Sequence, residues 1–489
     1  MNLSDLISAI EPLSVKGGGR VDITGVACDS RQLRPGQLFV AIPGTDADGW
    51  TYVRDALGRG AAAVVSEHAD AVAGSEACFI HVADARAALG RLAARFHGHP
   101  SDRLLAIGIT GTNGKTTCAC MLRDIFLAHG RKPGTLTTVA YQVGQRSIPA
   151  TRTTPDAAAL QEFFAQMVGA GCDTVIMEAT SHALDQKRTS GIDFDAAIFT
   201  NLTQDHLDYH RTMETYFAAK ARLFTDLGHG SKLAVAVINI DDPWGRQLAG
   251  MEGIRARRIT YGLAPEADVR AADVTLSASG TAFRAVTPWG EERISARLLG
   301  RFNVSNMLAA MATAGALGVP LRTCAQVLGR MTSVRGRLEE VQTGREFQLF
   351  VDYAHTEDAL DNVLTTLREI TRRRLIAVFG CGGNRDRGKR PKMGRVVSRK
   401  ADMAIVTSDN PRREPPGQII AEVLEGIEPG ASVEAIEDRR EAIRRALALA
   451  GPGDVVLIAG KGHEEFQELA NRSVRFDDRE VVREELGRP

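Results

Sequence analysis

A glycine- and threonine-rich segment, residues 111–117, is the part of the sequence that most directly indicates chemistry. It lies between an apolar run, residues 104–110, and a stretch that predicts a helix over residues 116–129. Small residues let backbone N–H groups close around phosphate oxygens, and the following helix N-terminus adds a positive dipole end. Lys115 would supply a mobile positive charge, and Thr116 is placed to hold Mg²⁺. The segment therefore predicts a loop that binds nucleotide phosphates.

The loop departs from the strict phosphate-loop pattern by one position. That pattern has a glycine where this chain has Ile109, and the nearest glycine is Gly108. Two interpretations stay open: a reshaped nucleotide loop, or a plain turn between a strand and a helix. The candidate nucleotide-binding residues of the segment are Gly111, Thr112, Asn113, Gly114, Lys115, Thr116 and Thr117.

Acids and histidines follow the next predicted strands. Glu178 closes an apolar strand, where its carboxylate would reach the ligand edge of a parallel sheet; a helix cap is the alternative. The following strand leads into residues 201–210, where two acids and two histidines occupy six positions. His206 would be an unusual ligand for Mg²⁺, which prefers oxygen. Lys220, in a predicted amphipathic helix, is by default a surface lysine.

Three more polar loops follow predicted strands near the C-terminus. Residues 380–391 form a glycine-loosened cationic loop with Arg385, which suits carboxylate or phosphate recognition, although a solvated basic loop is an equal alternative. Residues 409–412 and residues 460–464 also stand at strand ends. Because the carboxyl ends of parallel strands share one edge, we expect the three loops to converge on one crevice.

Composition excludes several classes of protein. The chain has 489 residues, 44% of them hydrophobic, which is enough for about three domains with their own cores. Lysine plus arginine equals aspartate plus glutamate at 60 each, so no net field favours nucleic acid or an acidic membrane. We expect no secretory signal and no membrane span. The seven scattered cysteines indicate reduced thiols of a cytoplasmic protein, with neither disulfides nor a zinc site.

Predicted strands and helices alternate along most of the chain, which indicates an α/β protein with largely parallel sheets. The pattern breaks near residues 96–100 and again near residues 334–337. These breaks predict three domains, residues 1–99, 100–333 and 334–489. Predicted strands lie at residues 104–110, 174–179, 196–200, 233–240, 347–351, 375–380, 403–407, 433–436 and 455–459, and one of the later helices at residues 440–449.

Taken together, the phosphate loop, residues 201–210, Lys220 and residues 409–412 resemble the Mur ligases of peptidoglycan synthesis. The resemblance covers all three predicted domains and is strongest to the members that add meso-2,6-diaminopimelate. It implies a module for the UDP end of the substrate, a central P-loop ATPase domain and a C-terminal Rossmann-like domain. It also implies a monomer that uses ATP and Mg²⁺ to join diaminopimelate to UDP-N-acetylmuramoyl-L-alanyl-D-glutamate through an acyl phosphate.

The resemblance assigns a role to each matching residue. Lys115 would act on ATP, Thr116 and Glu178 would serve one metal ion, and His206 would serve a second together with Lys220 modified to a carbamate. Glu357 stands where the family usually has proline, which leaves the geometry of the hinge open. The nucleotide would also contact Asn303, Arg337 and Asp352; the muramoyl dipeptide would contact Ser30, Thr153, Thr154, Ser181, Gln186 and Arg188; and diaminopimelate would contact Arg385, Asp409, Asn410, Pro411, Arg412, Gly460 and Glu464.

Selection of diaminopimelate would depend most on Arg412. Its guanidinium would bind the second carboxylate of diaminopimelate, and lysine, which lacks that group, would leave the buried charge unpaired. A lysine-adding Mur ligase and a folylpolyglutamate synthetase-like ligase are the alternatives with the same ATPase core. A non-catalytic nucleotide-binding regulator is a third, but the retention of Lys115, Lys220 and both candidate metal positions argues against it.

Overall fold

The computed structural model describes residues 1–17, 20–44, 48–70, 72 and 75–487, and it forms three sheets in chain order. The first sheet has the order β1-β5-β4-β3-β2, with only β1 antiparallel to its neighbour. Its strands are β1 Ser14–Lys16, β2 Val26–Ala27, β3 Leu38–Ala41, β4 Ala63–Ser66 and β5 Cys78–His81, and the helices of this part are α1 Leu3–Ile7, α2 Val53–Gly58 and α3 Ala85–Phe96.

The central sheet has eleven strands, and the parallel strands at its middle carry the phosphate loop. They are fully buried because helices cover both faces, which is why they read as continuous apolar runs. The strands are β6 Leu105–Thr110, β7 Pro133–Leu136, β8 Ala140–Val143, β9 Arg146–Pro149, β10 Thr174–Glu178, β11 Ala196–Phe199, β12 Val235–Asn239, β13 Arg257–Gly262, β14 Val269–Ser277, β15 Gly280–Thr287 and β16 Gly290–Ala296. The helices are α4 Lys115–Ala128, α5 Ala157–Gly169, α6 Ser181–Asp185, α7 Leu207–His210, α8 Met213–Thr225, α9 Pro243–Ala249, α10 Arg301–Ala316 and α11 Leu321–Arg330.

The third sheet is parallel except for its first strand, and it has the order β17-β18-β22-β19-β20-β21. A separate hairpin, β23–β24, follows it. The strands are β17 Glu339–Glu340, β18 Gln348–Asp352, β19 Leu375–Phe379, β20 Met403–Val406, β21 Val433–Ala435, β22 Val455–Ala459, β23 Phe466–Leu469 and β24 Arg472–Arg475. The helices are α12 Glu357–Ile370, α13 Arg390–Lys400, α14 Pro416–Leu424, α15 Arg439–Leu449 and α16 Asp478–Glu485.

The predicted α/β class with largely parallel sheets is confirmed. Each predicted strand lies within two residues of an observed one, and the antiparallel extension β14–β16 and the hairpin β23–β24 are additions that the sequence pattern did not reveal. The three domain boundaries stay a prediction, although each sheet lies within one predicted domain. All seven cysteines are free thiols. In the described part of the chain, no helix combines the length and the apolar character needed to cross a bilayer.

A buried ion pair ties the end of the third sheet to its helices. Arg439 and Asp478, both fully buried, form two hydrogen bonds of 2.8 and 2.7 Å, and the guanidinium also donates to the Ala459 carbonyl. Removing one partner leaves an uncompensated buried charge, so Asp478→Ala is expected to cost about 3 to 5 kcal/mol. Hydrogen exchange of the β22 amides measures this local stability.

A matched control is Glu434→Ala. The Glu434–Arg445 pair is also bidentate but lies at the surface of the same domain, so its loss should cost less than about 1 kcal/mol. Equal losses of protection for the two variants would contradict the role given to the buried pair.

Candidate functional site

One cavity of about 550 Å³ lies between the central and third sheets, where the strands of both end. The phosphate loop and residues 201–206 line it from the central side, and the three polar loops line it from the other. The residues of its wall that matter below are Thr112, Asn113, Lys115, Thr116, Thr138, Thr153, Glu178, Asp205, His206, Asn306, Arg337, Asp352, Tyr353, His355, Asp358, Arg385, Lys389, Asp409, Asn410, Arg412, Gly460 and Glu464.

The two glycines of the phosphate loop are fixed by its backbone, while nucleotide binding by the loop stays a prediction. Gly111 and Gly114 have φ angles of +146° and +87°, which side chains rarely adopt. A Cβ on Gly111 would lie 1.8 Å from the Thr200 hydroxyl, and one on Gly114 would lie 2.4 Å from the Asn306 side-chain oxygen. Gly108 has no part in the loop, since it lies inside β6. Both loop glycines are therefore required by backbone conformation and by space.

Residues after β11 hold the loop in place. The Asn201 carbonyl accepts the Thr112 N–H at 2.9 Å, and its side-chain oxygen accepts the Asn113 N–H at the same distance. Lys115 begins α4, and its ammonium donates to the carbonyls of Gly111 and Thr112 at 2.9 and 2.8 Å. The loop is thus preformed, with the first N–H groups of α4 available to an anion.

Glu178 is a buried acceptor at the base of the loop. Its Oε1 accepts from the Thr116 hydroxyl at 2.8 Å and from the Thr138 N–H at 3.0 Å, and its Oε2 accepts from the Thr138 hydroxyl at 3.1 Å. Thr180, not Glu178, caps the following helix, so the helix-cap alternative is wrong. A carboxylate and a hydroxyl side by side are the oxygen donors that Mg²⁺ prefers.

Lys220 is 1% exposed, so its default interpretation as a surface residue is wrong. It lies one helical turn after Tyr216 on the buried face of α8, and its ammonium donates to the Gly111 carbonyl at 2.8 Å and sits 4.6 Å from the Tyr216 ring. Burial, together with the nearby Lys115, holds the pKa of Lys220 well below its usual value. Burial therefore makes the neutral amine, which is the nucleophilic form, easier to reach than at an exposed lysine.

Asp205 joins groups from both sides of the cavity. Its carboxylate lies 3.6 Å from His206 Nε2, 3.6 Å from the Lys389 ammonium and 3.8 Å from His355 Nε2. Burial raises the pKa of Asp205, but Lys389 and the two imidazoles outweigh it and hold the pKa below the usual range. This cluster therefore pairs the loop after β11 with the third-sheet side of the site.

His206 has a neutral imidazole. Burial lowers its pKa to about 3 despite the opposing effect of Asp205. Its backbone has a φ of +56°, an uncommon conformation that clusters at functional sites in non-glycine residues. Its ring packs edge-on against His182 at 4.8 Å. A neutral ring held at a fixed angle is the form in which histidine binds metals.

Of the three further residues expected to contact the nucleotide, two line the cavity and one does not. Arg337 donates to the Thr116 hydroxyl at 3.0 Å and lies over the Tyr353 ring, and Asp352 accepts two backbone N–H groups at the cavity wall. Asn303 is absent from the wall: its amide donates to the Leu299 carbonyl at 2.8 Å. Asn306, one turn later in α10, lines the cavity instead. A nucleotide contact by Asn303 therefore stays a prediction.

The three polar loops converge on the cavity as expected. Asn410 donates to Glu464 at 2.7 Å, and the Oδ2 atom of Asp409 is buried without a partner in the described part of the chain. Gly460 forms part of the same wall, whereas Pro411 does not line the cavity and its contact with diaminopimelate stays a prediction. The arrangement places two carboxylates where the ammonium group of a ligand could bind.

The two arginines differ from the expected pair of buried, unpartnered cations. Arg385 is exposed at the cavity rim, and Arg412 is paired without any ligand, through its Nε to Glu468 at 2.6 Å and through Nη1 to the Gly383 carbonyl at 3.0 Å. The expectation that lysine would leave Arg412 unpaired is therefore wrong, because Glu468 remains available to it. A ligand carboxylate would compete with Glu468, which reduces the discrimination that Arg412 provides.

The residues expected to bind the dipeptide lie behind Glu178. Thr154 donates to the Glu178 carbonyl at 2.8 Å, and Thr153 accepts from the Thr138 hydroxyl at 3.2 Å. Arg188 donates to the Thr154 carbonyl and to Gln186. Ser181 has a buried hydroxyl that lacks a partner among the described residues. Of these residues Thr153 lines the cavity beside the phosphate loop, and contact of the others with the dipeptide stays a prediction.

Ser30 lies apart from these residues, in a short helical turn of the first domain. Cys28, two residues before Ser30, lies near Asp156: burial, and then the charge of Asp156, raise the pKa of the Cys28 thiol to about 12. The structure does not place Ser30 at the cavity, so its contact with the UDP end stays a prediction.

Several residues of the site were not predicted from the sequence. Thr138, Lys389 and Asp358 line the cavity, and Asp358 accepts from the Asn113 amide at 2.8 Å across the two domains. Lys389 belongs to the cationic loop that the sequence did reveal, but Thr138 follows a short strand without any motif. Glu357 begins α12 directly after its cap, a position where proline is common and an acid also favours the helix dipole.

Comparison with known proteins agrees with this architecture. Three family profiles match: "Mur ligase family, catalytic domain" at residues 22–97, "Mur ligase middle domain" at 109–314 and "Mur ligase, glutamate ligase domain" at 336–462. The UDP-N-acetylmuramoyl-L-alanyl-D-glutamate--2,6-diaminopimelate ligase of Geobacter metallireducens is 46% identical, with 99% of this chain and 98% of the relative covered. The ligase of the same name from Geobacillus kaustophilus is also 46% identical, with 99% of each chain covered.

A solved structure of a ligase with that name is similar as well. It has a TM-score of 0.67 and 36% sequence identity, and 95% of each chain is covered. Profiles that match most of the chain, together with relatives of this identity over full length, are sufficient to assign the family. The chain therefore belongs to the Mur ligase family.

Proposed function

We propose that the protein is an ATP-dependent amide ligase that joins meso-2,6-diaminopimelate to UDP-N-acetylmuramoyl-L-alanyl-D-glutamate in peptidoglycan precursor synthesis. The observation that carries the proposal is that the phosphate loop, Glu178 with Thr153 beside it, and the three C-terminal loops surround one cavity. The identity to relatives named for this reaction supports it. As a peptidoglycan precursor enzyme it would act in the cytoplasm, and we propose that it works as a monomer.

The reaction needs activation, because a carboxylate and an amine do not condense in water. The D-glutamyl γ-carboxylate attacks the γ-phosphorus of ATP, the bond to the bridging oxygen breaks, and an acyl phosphate and ADP form. Lys115 would neutralise negative charge on the transferring phosphoryl group. In phosphoryl transfer the protein contributes mainly by positioning the reacting groups and by stabilising their charge. The amine of diaminopimelate, freed of its proton, then adds to the acyl carbon, and the tetrahedral intermediate expels phosphate.

The residues present fit two Mg²⁺ sites. Thr116 and Glu178 would hold one ion through adjacent oxygen atoms, one of them a buried carboxylate. His206 and a carbamate of Lys220 would hold the other. The ions would supply positive charge to the phosphate oxygens during transfer. Among the described residues no group of three or more His, Cys, Asp or Glu side chains could hold a metal alone, so the donor set would need the hydroxyl, the carbamate and the phosphates.

The environment of Lys220 suits carbamate formation. A neutral amine adds to CO₂, forming an N–C bond and releasing one proton, and the product carries a negative charge where a protonated lysine would carry a positive one. The low pKa of Lys220 keeps that amine available, and the Tyr216 ring and the Gly111 carbonyl hold it in position. A cation this near the two proposed metal ions would be repelled by them, whereas a carbamate provides an oxygen ligand.

Two alternative ligases make distinct predictions. A lysine-adding Mur ligase would turn over L-lysine in preference to diaminopimelate, and a folylpolyglutamate synthetase-like enzyme would extend a folate rather than a UDP-muramoyl peptide. The match of residues 22–97 to a Mur ligase profile favours a Mur substrate at the first domain. A non-catalytic regulator would hydrolyse ATP, if at all, without dependence on an amino acid.

The deciding experiment is an amino-acid panel. The protein is incubated with ATP, Mg²⁺ and UDP-N-acetylmuramoyl-L-alanyl-D-glutamate, and each candidate amino acid is scored by the mass of the product. A product mass that includes diaminopimelate, formed with release of ADP and phosphate, is expected. Preference for lysine, or ATP hydrolysis that is indifferent to the amino acid, would contradict the proposal.

Arg412→Ala is expected to lower kcat/KM for meso-diaminopimelate by about tenfold, the lower end of the range for a lost charge-assisted hydrogen bond. The lower end applies because Glu468 already compensates the guanidinium in the absence of ligand. KM for ATP should change little. Arg413→Ala, a change at an exposed neighbour, is the control, and an equal loss for lysine and diaminopimelate would refute selection by Arg412.

A further inference from the structure

Lys461 is a fully buried cation to which the reaction described above gives no role. It follows β22, and its ammonium donates to Asn410 Oδ1 at 3.2 Å, to Glu464 Oε2 at 3.2 Å and to the Phe466 carbonyl. These three acceptors use all three donors of an ammonium group. A buried lysine is costly unless it is paired, and the two side chains that pair it belong to the predicted amino-acid pocket.

Lys461 helps to fix the orientation of the Asn410 amide. Asn410 Oδ1 accepts from Lys461 and also from the Glu468 N–H at 2.9 Å. Since an ammonium and a backbone N–H can only donate, the amide oxygen must face them. The amide NH₂ then points at Glu464, to which it donates at 2.7 Å. Lys461 and the Glu468 N–H therefore hold the orientation of one predicted ligand-binding side chain together.

Lys461 also acts on the Glu464 carboxylate. Both hydrogen bonds to this carboxylate fall on Oε2, and Oε1 has no protein partner within the described residues, while Glu464 lines the cavity. Burial raises the pKa of Glu464; the positive charge of Lys461 opposes that rise, and Asp409 adds to it. If Lys461 were removed, the carboxylates of Asp409 and Glu464 would share the pocket, and Glu464 would lose its hydrogen bond from a cation.

We propose that Lys461 is a positioning residue that sets the specificity of the amino-acid pocket. It holds the Glu464 carboxylate so that Oε1 stays free for the distal ammonium group of the substrate, and it helps to fix the Asn410 amide beside that carboxylate. Lys461 is not part of the cavity wall and so acts through these two residues. The inference rests on the proposed function, in which Asp409, Asn410 and Glu464 receive the second amino-acid end of diaminopimelate.

A double-mutant cycle tests this coupling. Lys461→Met, Glu464→Gln and the double variant are compared by kcat/KM for meso-diaminopimelate and for 2-aminopimelate, which lacks the distal amino group. Lys461→Met is expected to lower the value for diaminopimelate by about ten- to a hundredfold, the size of coupling seen in contacting networks. The value for 2-aminopimelate and the KM for ATP should stay near wild type. In the Glu464→Gln background, Lys461→Met should add less than about threefold.

The pH profile separates positioning from a structural role. Because Lys461 opposes the rise in the pKa of Glu464, its removal should move the acid limb of kcat/KM for diaminopimelate to higher pH. Glu464→Gln should remove that limb, and Lys461→Arg, which keeps the charge, should restore part of the preference for diaminopimelate. A lysine that only supports the fold would leave the limb where it is.

Lys232→Met is the matched control. Lys232 is also largely buried and donates three hydrogen bonds, to Ser101, Leu104 and Asp195, but it precedes β12 and contacts residues just before β6, at the edge of the central sheet opposite the cavity. It should lose stability without any change in the choice of amino acid. If Lys461→Met fails to fold, the double variant is used instead. It removes both charges of the pair, a replacement that folded proteins often tolerate, and its selectivity should equal that of Glu464→Gln.

Additive losses in the cycle, equal losses for the two amino acids or an unmoved acid limb would each overturn the role of Lys461. Failure of the proposed function looks different, because the wild-type protein would then prefer another amino acid in the panel. In that case the same variants are measured with the preferred amino acid and its analogue lacking the distal ammonium, and the cycle still decides whether Lys461 acts through Glu464.

Discussion

Replacing Lys220 with alanine is expected to lower ligase kcat by about a thousandfold, the upper end of what one preorganised electrostatic group contributes. The variant should keep its fold, since alanine leaves the Tyr216 and Phe224 contacts of α8 in place. The loss arises because the proposed carbamate, and with it one oxygen ligand for Mg²⁺, can no longer form. Steady-state turnover of ATP and of the UDP-muramoyl dipeptide measures the effect.

Acetate should restore part of the activity of Lys220→Ala. A small carboxylate can enter the space left by the side chain and would provide an oxygen ligand, whereas chloride at the same concentration provides no oxygen. Arg222→Ala, at an exposed position on the same helix, is the control and should remain active without acetate. A crystal structure of the ATP-bound enzyme with an unmodified Lys220 would contradict the carbamate, even if the variant were inactive.

Lys115→Ala is expected to lower ATP turnover by about a hundred- to a thousandfold while the fold is retained. Among the described residues the ammonium donates hydrogen bonds to the carbonyls of its own loop, at Gly111 and Thr112, so removing it breaks no side-chain hydrogen bond to another element there. What is lost is the charge that would act on the phosphates of ATP.

Single-turnover formation of ADP separates this loss from slow product release. Lys132→Ala, an exposed lysine just after the same helix, is the control and should behave as the wild type. Ligation by Lys115→Ala at a rate near wild type would show that the loop does not act on the transferring phosphate.

The low pKa of His206 predicts a pH range in which this residue should not change the ligase activity. Since its pKa lies near 3, the imidazole is already neutral at pH 5 and above, and a metal role for it should give no acid limb between pH 5 and 7. The acid limb expected for Glu464 is therefore separable from any contribution of His206. This separation makes the pH profile usable as a test of Lys461.

Domain contacts explain why the cavity is complete in this structure. Asn113 of the phosphate loop donates to Asp358, and Arg337 donates to Thr116, so these bonds, with the Asp205 cluster, join the nucleotide side to the third-sheet side. Burial raises the pKa of Asp358, and the hydrogen bond from Asn113 counteracts part of that rise. The phosphate loop and the amino-acid loops are thereby held against the same cavity.

The sequence by itself determined the elements and the loops that carry chemistry. Parallel strands buried on both faces must be apolar throughout, so β6, β10 and β22 were visible as apolar runs that end in polar residues. The glycines of the phosphate loop were visible because only glycine adopts their backbone angles freely. Convergence of strand-end loops followed from the parallel arrangement, since such ends share one edge.

Only the tertiary structure decided which side chains are buried and paired. Lys220 is four residues from Tyr216 and four from Phe224 on one helix face, yet burial of a lysine depends on the carbonyl of Gly111, which comes from a distant strand end. Arg412 looked like an unpartnered cation because Glu468, in the hairpin β23–β24, had not been recognised as its neighbour. Pairing across elements is a matter of three-dimensional distance, which spacing along the chain does not encode.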